Sequence, residues 1–177
     1  MSPRAGGNSD AAADILADLV AGTVLRLRDF SVRPCVGCGA CARDGHCVLA
    51  DTDQAEELFA HVESASGLIL TAPVYFYHLP AQAKAWVDRS QSRYLAREAG
   101  LRPRASRRRA FAALVAGRPR GERLFEGVLP TLRYFLDVFD FDLVDTVRVG
   151  GVDGMGALLG SASAKRAVRD LGRRITW

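Results

Sequence analysis

The sequence predicts a doubly wound α/β fold in a single domain spanning residues 1–177. Three observations carry this. The chain has 177 residues, which suits one compact domain and leaves little room for two. Hydrophobic residues make up 49% and charged residues 25%, the balance of a globular core rather than of a disordered or fibrous chain. Strand-like apolar runs alternate with helical segments four times, a pattern that folds into a parallel sheet covered on both faces through right-handed crossovers.

The elements follow in order. Residues 10–21 read as a helix, with residues 8–10 as its cap and Ile15, Leu16, Leu19 and Val20 as its apolar stripe. Residues 23–27 (TVLRL) alternate like a strand, and residues 31–50 form a loop rich in Cys and Gly. Residues 53–64 are helical, with Ala55, Leu58, Phe59 and Val62 inward. Residues 67–72 (GLILTA) are continuously apolar, as in a strand covered on both faces. Residues 80–89 are helical with Pro80 near the start, and the helix continues to about residue 97. Residues 109–116 (RAFAALVA) are another buried strand. Residues 122–139 read as one long helix, with Leu124, Val128, Leu132, Phe135, Leu136 and Phe139 inside and Pro130 expected to kink or divide it. Residues 141–149 are the last strand, 150–160 a Gly-rich loop and 162–174 the closing helix. Ligands of such sheets bind at the C-terminal strand ends, where the loops 72–79, 117–121 and 150–156 gather with the first ten residues.

Charge is uneven. The net charge is +4, yet residues 89–123 hold eleven Arg and two acids. Such a stretch attracts anions or an acidic partner; the simpler reading is a solvated segment whose arginines pair across an oligomer interface. No aromatic-interleaved motif accompanies it, so nucleic acid is not the expected partner. No apolar run approaches the roughly 20 residues of a membrane span, and the opening MSPRAGGNSD has no apolar leader segment. A cytoplasmic location is the expectation, where cysteines serve metal or redox roles rather than disulfides.

Three constellations carry chemistry. Residues 2–9 (SPRAGGNS) run straight into a helix, so free backbone N–H groups, the helix dipole and Arg4 can hold an anion. Cys35, Cys38, Cys41 and Cys47 lie within thirteen residues, close enough for four thiolates to enclose one centre, with Gly37, Gly39 and Gly45 permitting tight turns. An iron–sulfur cluster, an all-cysteine zinc site and uncomplexed redox thiols all suit that spacing; the last gap is longer than in a ferredoxin run and no Pro follows. Residues 73–78 (PVYFYH) set aromatic faces at a strand end. His46, His61 and His78 are too scattered for a catalytic triad.

The loop SPRAGGNS, the run TAPVYF at 71–76 followed by LPAQAKAWVDR at 79–89, the cysteine cluster between them and GVDGMG at 151–156 together resemble the NADPH-dependent FMN reductases and iron–sulfur flavoproteins of the flavodoxin superfamily. The resemblance covers nearly the whole chain. It implies a flavodoxin-like three-layer α/β/α sandwich and an FMN-dependent oxidoreductase carrying a [4Fe–4S] cluster. Ser2, Arg4, Asn8 and Ser9 would hold the FMN phosphate. Pro73, Val74, Tyr75 and Phe76, with Gly117 and Gly121, would frame the ring, and the four cysteines would hold the cluster. NAD(P)H is the implied electron donor, a small molecule or a protein the acceptor, and a homo-oligomer (dimer or tetramer) the implied assembly. No side chain need act as acid or base, because the cofactors carry the chemistry. Lys84, Asp88 and Arg89 would serve an ion pair and an oligomer contact. The alternatives are an NAD(P)H:quinone or FMN reductase without a cluster, a non-enzymatic electron carrier, and a zinc-stabilised interaction module. One departure stands out. The family places a strand before the phosphate loop, but Met1 stands at the loop itself. The expectation is therefore a sheet lacking its usual first strand, with the true start lying upstream.

Overall fold

The computed structural model describes residues 1–177. Three strands, β1 (Gly67–Pro73), β2 (Arg108–Val115) and β3 (Phe141–Val149), form one parallel sheet in the order β1-β2-β3. Its helices are α1 (Asn8–Val20), α2 (Cys41–Asp44), α3 (Ala55–Ser64), α4 (Ala81–Arg89), α5 (Gln91–Glu98), α6 (Val128–Val138), α7 (Ala157–Gly160) and α8 (Ala162–Arg174). No helix is long and apolar enough to cross a membrane.

The central strand explains the layering. Alternate residues of a strand face opposite sides. Ala110, Ala112 and Leu114 of β2 join a core with Phe59 of α3, Trp86 of α4 and Phe135 of α6. Phe111, Ala113 and Val115 face the other way, toward Leu16 of α1 and Val168 and Leu171 of α8. Residues 110–115 are buried throughout, which is why this strand reads as an unbroken apolar run. Each large side chain so buried contributes about 1.5–3 kcal/mol. The result is the expected α/β/α sandwich, with its helices on both faces.

Several expected elements change. The sheet has three strands, not four. Residues 23–27 are extended around Arg26 (φ −102°, ψ 110°) but pair with nothing, and a short 3-10 turn, Leu27–Asp29, follows. A strand is defined by its ladder, and here the neighbour is absent. Between this segment and the free edge of β1 lies a cleft of about 760 Å³, lined among others by Leu16, Val24, Val62, Leu68 and Trp177. Along that edge the Met1 amine alone donates, to the Thr71 carbonyl (2.7 Å).

The helix expected at 122–139 starts only at Val128. Pro130 therefore stands in its first turn, where an N–H has no intrahelical acceptor, and it opens the helix instead of kinking it. The helix expected to continue to residue 97 breaks at Ser90. The Ser90 hydroxyl donates to the Val87 carbonyl (2.7 Å), competing with the ladder. At the other end of the chain, α1 begins two residues early, with Gly7 as its N-cap and no side chain capping it.

Much of the basic stretch is consumed within the chain. Arg93 pairs with Glu56 and Glu63, Arg97 with Asp140, Arg102 with Glu63, and Arg107 with Asp137 and Asp142. Arg108 donates to the carbonyls of Glu63, Ala65 and Phe139. These arginines fasten helices α3, α5 and α6 to the sheet, so they are not a free anion-binding surface.

Candidate functional site

Four loops meet at the C-terminal edge of the sheet, around a cavity of about 90 Å³ lined by Ser2, Arg4, Ser9, Tyr75, Gly117 and Asp153, among others. Gly7, Asn8, Pro73, Val74, Val115, Ala116, Val152 and Gly154 complete its wall.

The first loop, residues 2–9, is the anion cradle. Gly6 takes a left-handed φ of +64°, which turns the chain into α1 without a side-chain penalty. The N–H groups of Gly7, Asn8 and Ser9 find no acceptor in the protein. The Ser9 hydroxyl is buried beside them, also without a partner. A buried polar group left unpaired costs about 1–3 kcal/mol, so this cluster of donors is built for a ligand. Ser2 is buried as well, its hydroxyl accepting from the Arg4 N–H (3.2 Å). The Asn8 side chain is engaged within the protein. Its amide donates to the carbonyls of Val152 (2.8 Å) and Gly154 (2.9 Å), and its oxygen accepts from the Leu158 N–H (3.0 Å). Asn8 thus clamps the glycine loop to the cradle with its side chain, leaving its N–H for an anion.

The second loop is anchored by the Val74 N–H, which donates to the Val115 carbonyl (2.8 Å). Tyr75 and His78 then exchange two backbone hydrogen bonds, closing a two-residue turn over Phe76 (φ +48°) and Tyr77 (φ +65°). Both are left-handed and neither is Gly, a geometry that costs of order 1–3 kcal/mol per residue. The structure holds the turn from outside. His78 shares a hydrogen bond with Thr131 (3.2 Å), Arg118 donates to the Tyr77 hydroxyl (3.0 Å), and Gly127 lies so close to the Tyr77 carbonyl that a Cβ would meet it at 2.6 Å. The turn thrusts Phe76 into solvent, where its side chain is fully exposed.

Of the expected ring-framing residues, Pro73, Val74, Tyr75 and Gly117 line the cavity, while Phe76 and Gly121 do not. Gly121 instead leaves room for the Tyr77 hydroxyl. Gly117 faces the Asp153 carboxylate, which a Cβ would approach at 3.0 Å.

Two residues missed in the sequence support the cradle. Asp10, in the first turn of α1, accepts from the Gly6 N–H (2.8 Å) and from both terminal nitrogens of Arg28 (2.9 and 2.8 Å). Burial alone would raise the Asp10 carboxyl; the Arg28 and Gly6 hydrogen bonds outweigh it and hold the group below the ordinary carboxylate range. An Arg in a 3-10 turn 18 positions away leaves no local pattern with Asp10, so only the fold reveals the pair.

The cysteine loop lies apart, against α5. All four thiols are free, Cys35 and Cys38 exposed and Cys41 and Cys47 half-buried. Gly45 (φ +73°) ends α2 and packs so tightly on Ala96 that a Cβ would meet it at 2.6 Å. Burial pushes the Cys41 thiol up, and the charges of Cys47, Cys35 and Cys38 add to the rise. The four thiols are the right donor type for an iron–sulfur centre, but no three side chains are drawn together as a ligand set. Under the loop sits Arg89, 1% exposed. It donates to the Arg33 carbonyl (3.2 Å) and to Asp53 (2.5 Å). Arg89 is thus an internal post for the loop rather than the oligomer contact expected of it. Lys84 and Asp88 do form the expected helix ion pair (2.5 Å).

Comparison with known proteins bears on the family and the fold. A family model described as NADPH-dependent FMN reductase matches residues 2–142. An iron-sulfur flavoprotein of Methanocaldococcus jannaschii is 34% identical over 95 residues, covering 51% of this chain and 48% of that protein. The chain thus spans about half the length of this curated relative. Among solved structures, the Trp repressor binding protein from Bacillus subtilis superposes with a TM-score of 0.65 at 15% identity, covering 98% of this chain and 94% of that one. An NAD(P)H:quinone oxidoreductase from Methanothermobacter marburgensis gives 0.63 at 15% identity, covering 99% and 95%. At such identities the superpositions establish the fold, which is flavodoxin-like.

Proposed function

This chain belongs to the NADPH-dependent FMN reductase family, and from that premise we propose that it is an FMN-dependent oxidoreductase whose flavin phosphate sits in the loop of residues 2–9. The observation that carries the reading is the buried, unpartnered Ser9 hydroxyl beside three free N–H groups. A phosphate supplies the acceptors these donors lack, at a helix N-terminus that favours negative charge.

FMN, when bound, supplies hydride acceptance from NAD(P)H and one- or two-electron transfer to an acceptor. The chain's own residues bind and orient it. Ser2, Ser9 and the backbone of residues 7–9 hold the phosphate, with Arg4 at the rim. Pro73, Val74 and Tyr75 offer one wall for the ring, and Gly117, which leaves room for the Asp153 carboxylate, lines the same cavity. Asn8 keeps residues 152–154 in place along the same cavity.

Cys35, Cys38, Cys41 and Cys47 are proposed to hold a [4Fe–4S] cluster, supported by their number, their spacing and the name of the Methanocaldococcus relative. The cluster-free reductase is the second reading, favoured by thiols that are not gathered into a ligand set. A dimer or tetramer is proposed on the ground that the exposed Phe76 beside the cavity awaits a cover. An anaerobic absorption spectrum, with flavin, iron and sulfide assayed on the same sample and NAD(P)H oxidation followed, tests these readings together. Flavin bands with NAD(P)H oxidation support the oxidoreductase; about four irons per chain support the cluster. Flavin without iron selects the second reading. Flavin that NAD(P)H fails to reduce points to an electron carrier, and a colourless folded protein that takes up no FMN refutes the proposal.

A further inference from the structure

We infer that Arg28 is the positioning residue of the phosphate loop, and that it acts by neutralising Asp10 so that the loop can accept a phosphate dianion. The inference rests on the FMN-site reading above and adds to it a charge balance.

Asp10 has a double effect on its surroundings. Its carboxylate accepts the Gly6 N–H (2.8 Å), which fixes the turn into α1, and it complements the positive end of that helix. It is also an ionised group, 8% exposed, in the wall of a loop meant for an anion. Left alone, it would repel the phosphate through the same poorly solvated space that makes the free N–H groups effective.

Arg28 answers both requirements. Its two terminal nitrogens make a bidentate pair with Asp10, at 2.9 and 2.8 Å, the fork geometry that an ammonium cannot reproduce. One of those nitrogens also reaches the carbonyls of Ser2 (3.5 Å) and Arg4 (3.4 Å). The guanidinium therefore touches the loop at its start, its middle and the helix that ends it. Arg26 stands at the edge of the same carboxylate, Nε 4.0 Å away, but turns its terminal nitrogen to Asp14 (2.9 Å). Arg28 is the full partner. Its position follows the unpaired segment of residues 23–27, so the cradle's charge balance depends on an element outside the cradle.

Affinities for FMN and for riboflavin, which lacks the phosphate, test the inference by quenching of flavin fluorescence in wild type, R28Q, R28K, D10N and R28Q/D10N. R28Q should lose about tenfold or more in FMN affinity, and its riboflavin affinity should move by less than about threefold. R28Q/D10N should regain most of the FMN affinity, because the asparagine oxygen still accepts from Gly6 and the charge is gone. R28K, which keeps the charge without the fork, should fall between wild type and R28Q; it also serves should R28Q fail to fold. Equal losses for FMN and riboflavin in R28Q, or a double variant as weak as R28Q, would overturn the charge assignment while leaving the flavin site standing. A wild type that binds no FMN would remove the site reading and this inference with it.

Discussion

Single residues here are distinguished by what they lack as much as by what they touch. The Ser9 hydroxyl has no partner although buried, so Ser9→Ala should stabilise the free protein by about 1 kcal/mol or more while weakening FMN several-fold, about one hydrogen bond's worth. Paired titrations and urea melts check both halves. Arg89 is the opposite case. Its side chain and that of Asp53 are both fully enclosed, and removing one member of such a pair leaves a buried charge unmatched. Arg89→Ala should cost about 3–5 kcal/mol, and denaturant unfolding measures it. At Gly67 the Trp177 ring occupies the space where a Cβ would stand. Gly67→Ala should therefore displace that ring and destabilise by about 1–3 kcal/mol, with a change in tryptophan emission. Legibility was mixed at this scale. Ser2, Ser9 and Gly117 were readable because small residues before a helix or after a strand have few other uses. Asn8 was readable as a site residue but not as a clamp, since its partners at 152, 154 and 158 come from the far end of the chain. Arg28 was invisible for the same reason.

Among the elements, the turn over Phe76 and Tyr77 sets two consecutive non-glycine residues in the left-handed region. Its dihedrals are those that Asn and Gly adopt in tight hairpins, and Phe76 buries nothing to offset the penalty. Phe76→Asn should stabilise the protein by about 0.5–1 kcal/mol, seen as a raised thermal midpoint, while weakening cofactor turnover or self-association if the exposed ring is kept for contact. Periodicity gave the helices α3 and α8 and strand β3 with nearly their final bounds because each buries one clear face. It failed at residues 23–27, whose alternation is real but whose ladder partner is missing, and at Pro130, where the same residue that interrupts a helix also begins one.

Taken whole, the molecule is a sheet fastened by arginine. The segment 89–123 reads as a cationic patch in the sequence, yet Arg93, Arg97, Arg102 and Arg107 spend their charge on Glu56, Glu63, Asp137, Asp140 and Asp142. Composition shows the imbalance; only the fold shows where the remaining acids lie. Acid sensitivity follows. Burial would raise the carboxyls of Asp10 and Asp53, but hydrogen bonds and arginine partners hold both below the ordinary value of 3.8. A carboxyl with a depressed folded pKa contributes stability that is complete above its unfolded value and vanishes as pH falls through its folded one. The urea midpoint should therefore be flat in these two contributions above about pH 5 and fall steeply below about pH 4. Asp10→Asn should shallow that fall.

The fold class was legible from alternation alone, and the family from the order of its motifs. The central claim is that the C-terminal edge of this sheet holds a flavin by its phosphate. The most direct test is an equilibrium titration of the protein with FMN and, separately, riboflavin under identical salt. One FMN per chain, bound at least about tenfold more tightly than riboflavin, is the predicted result. Binding of neither flavin, or equal binding of both, would contradict it.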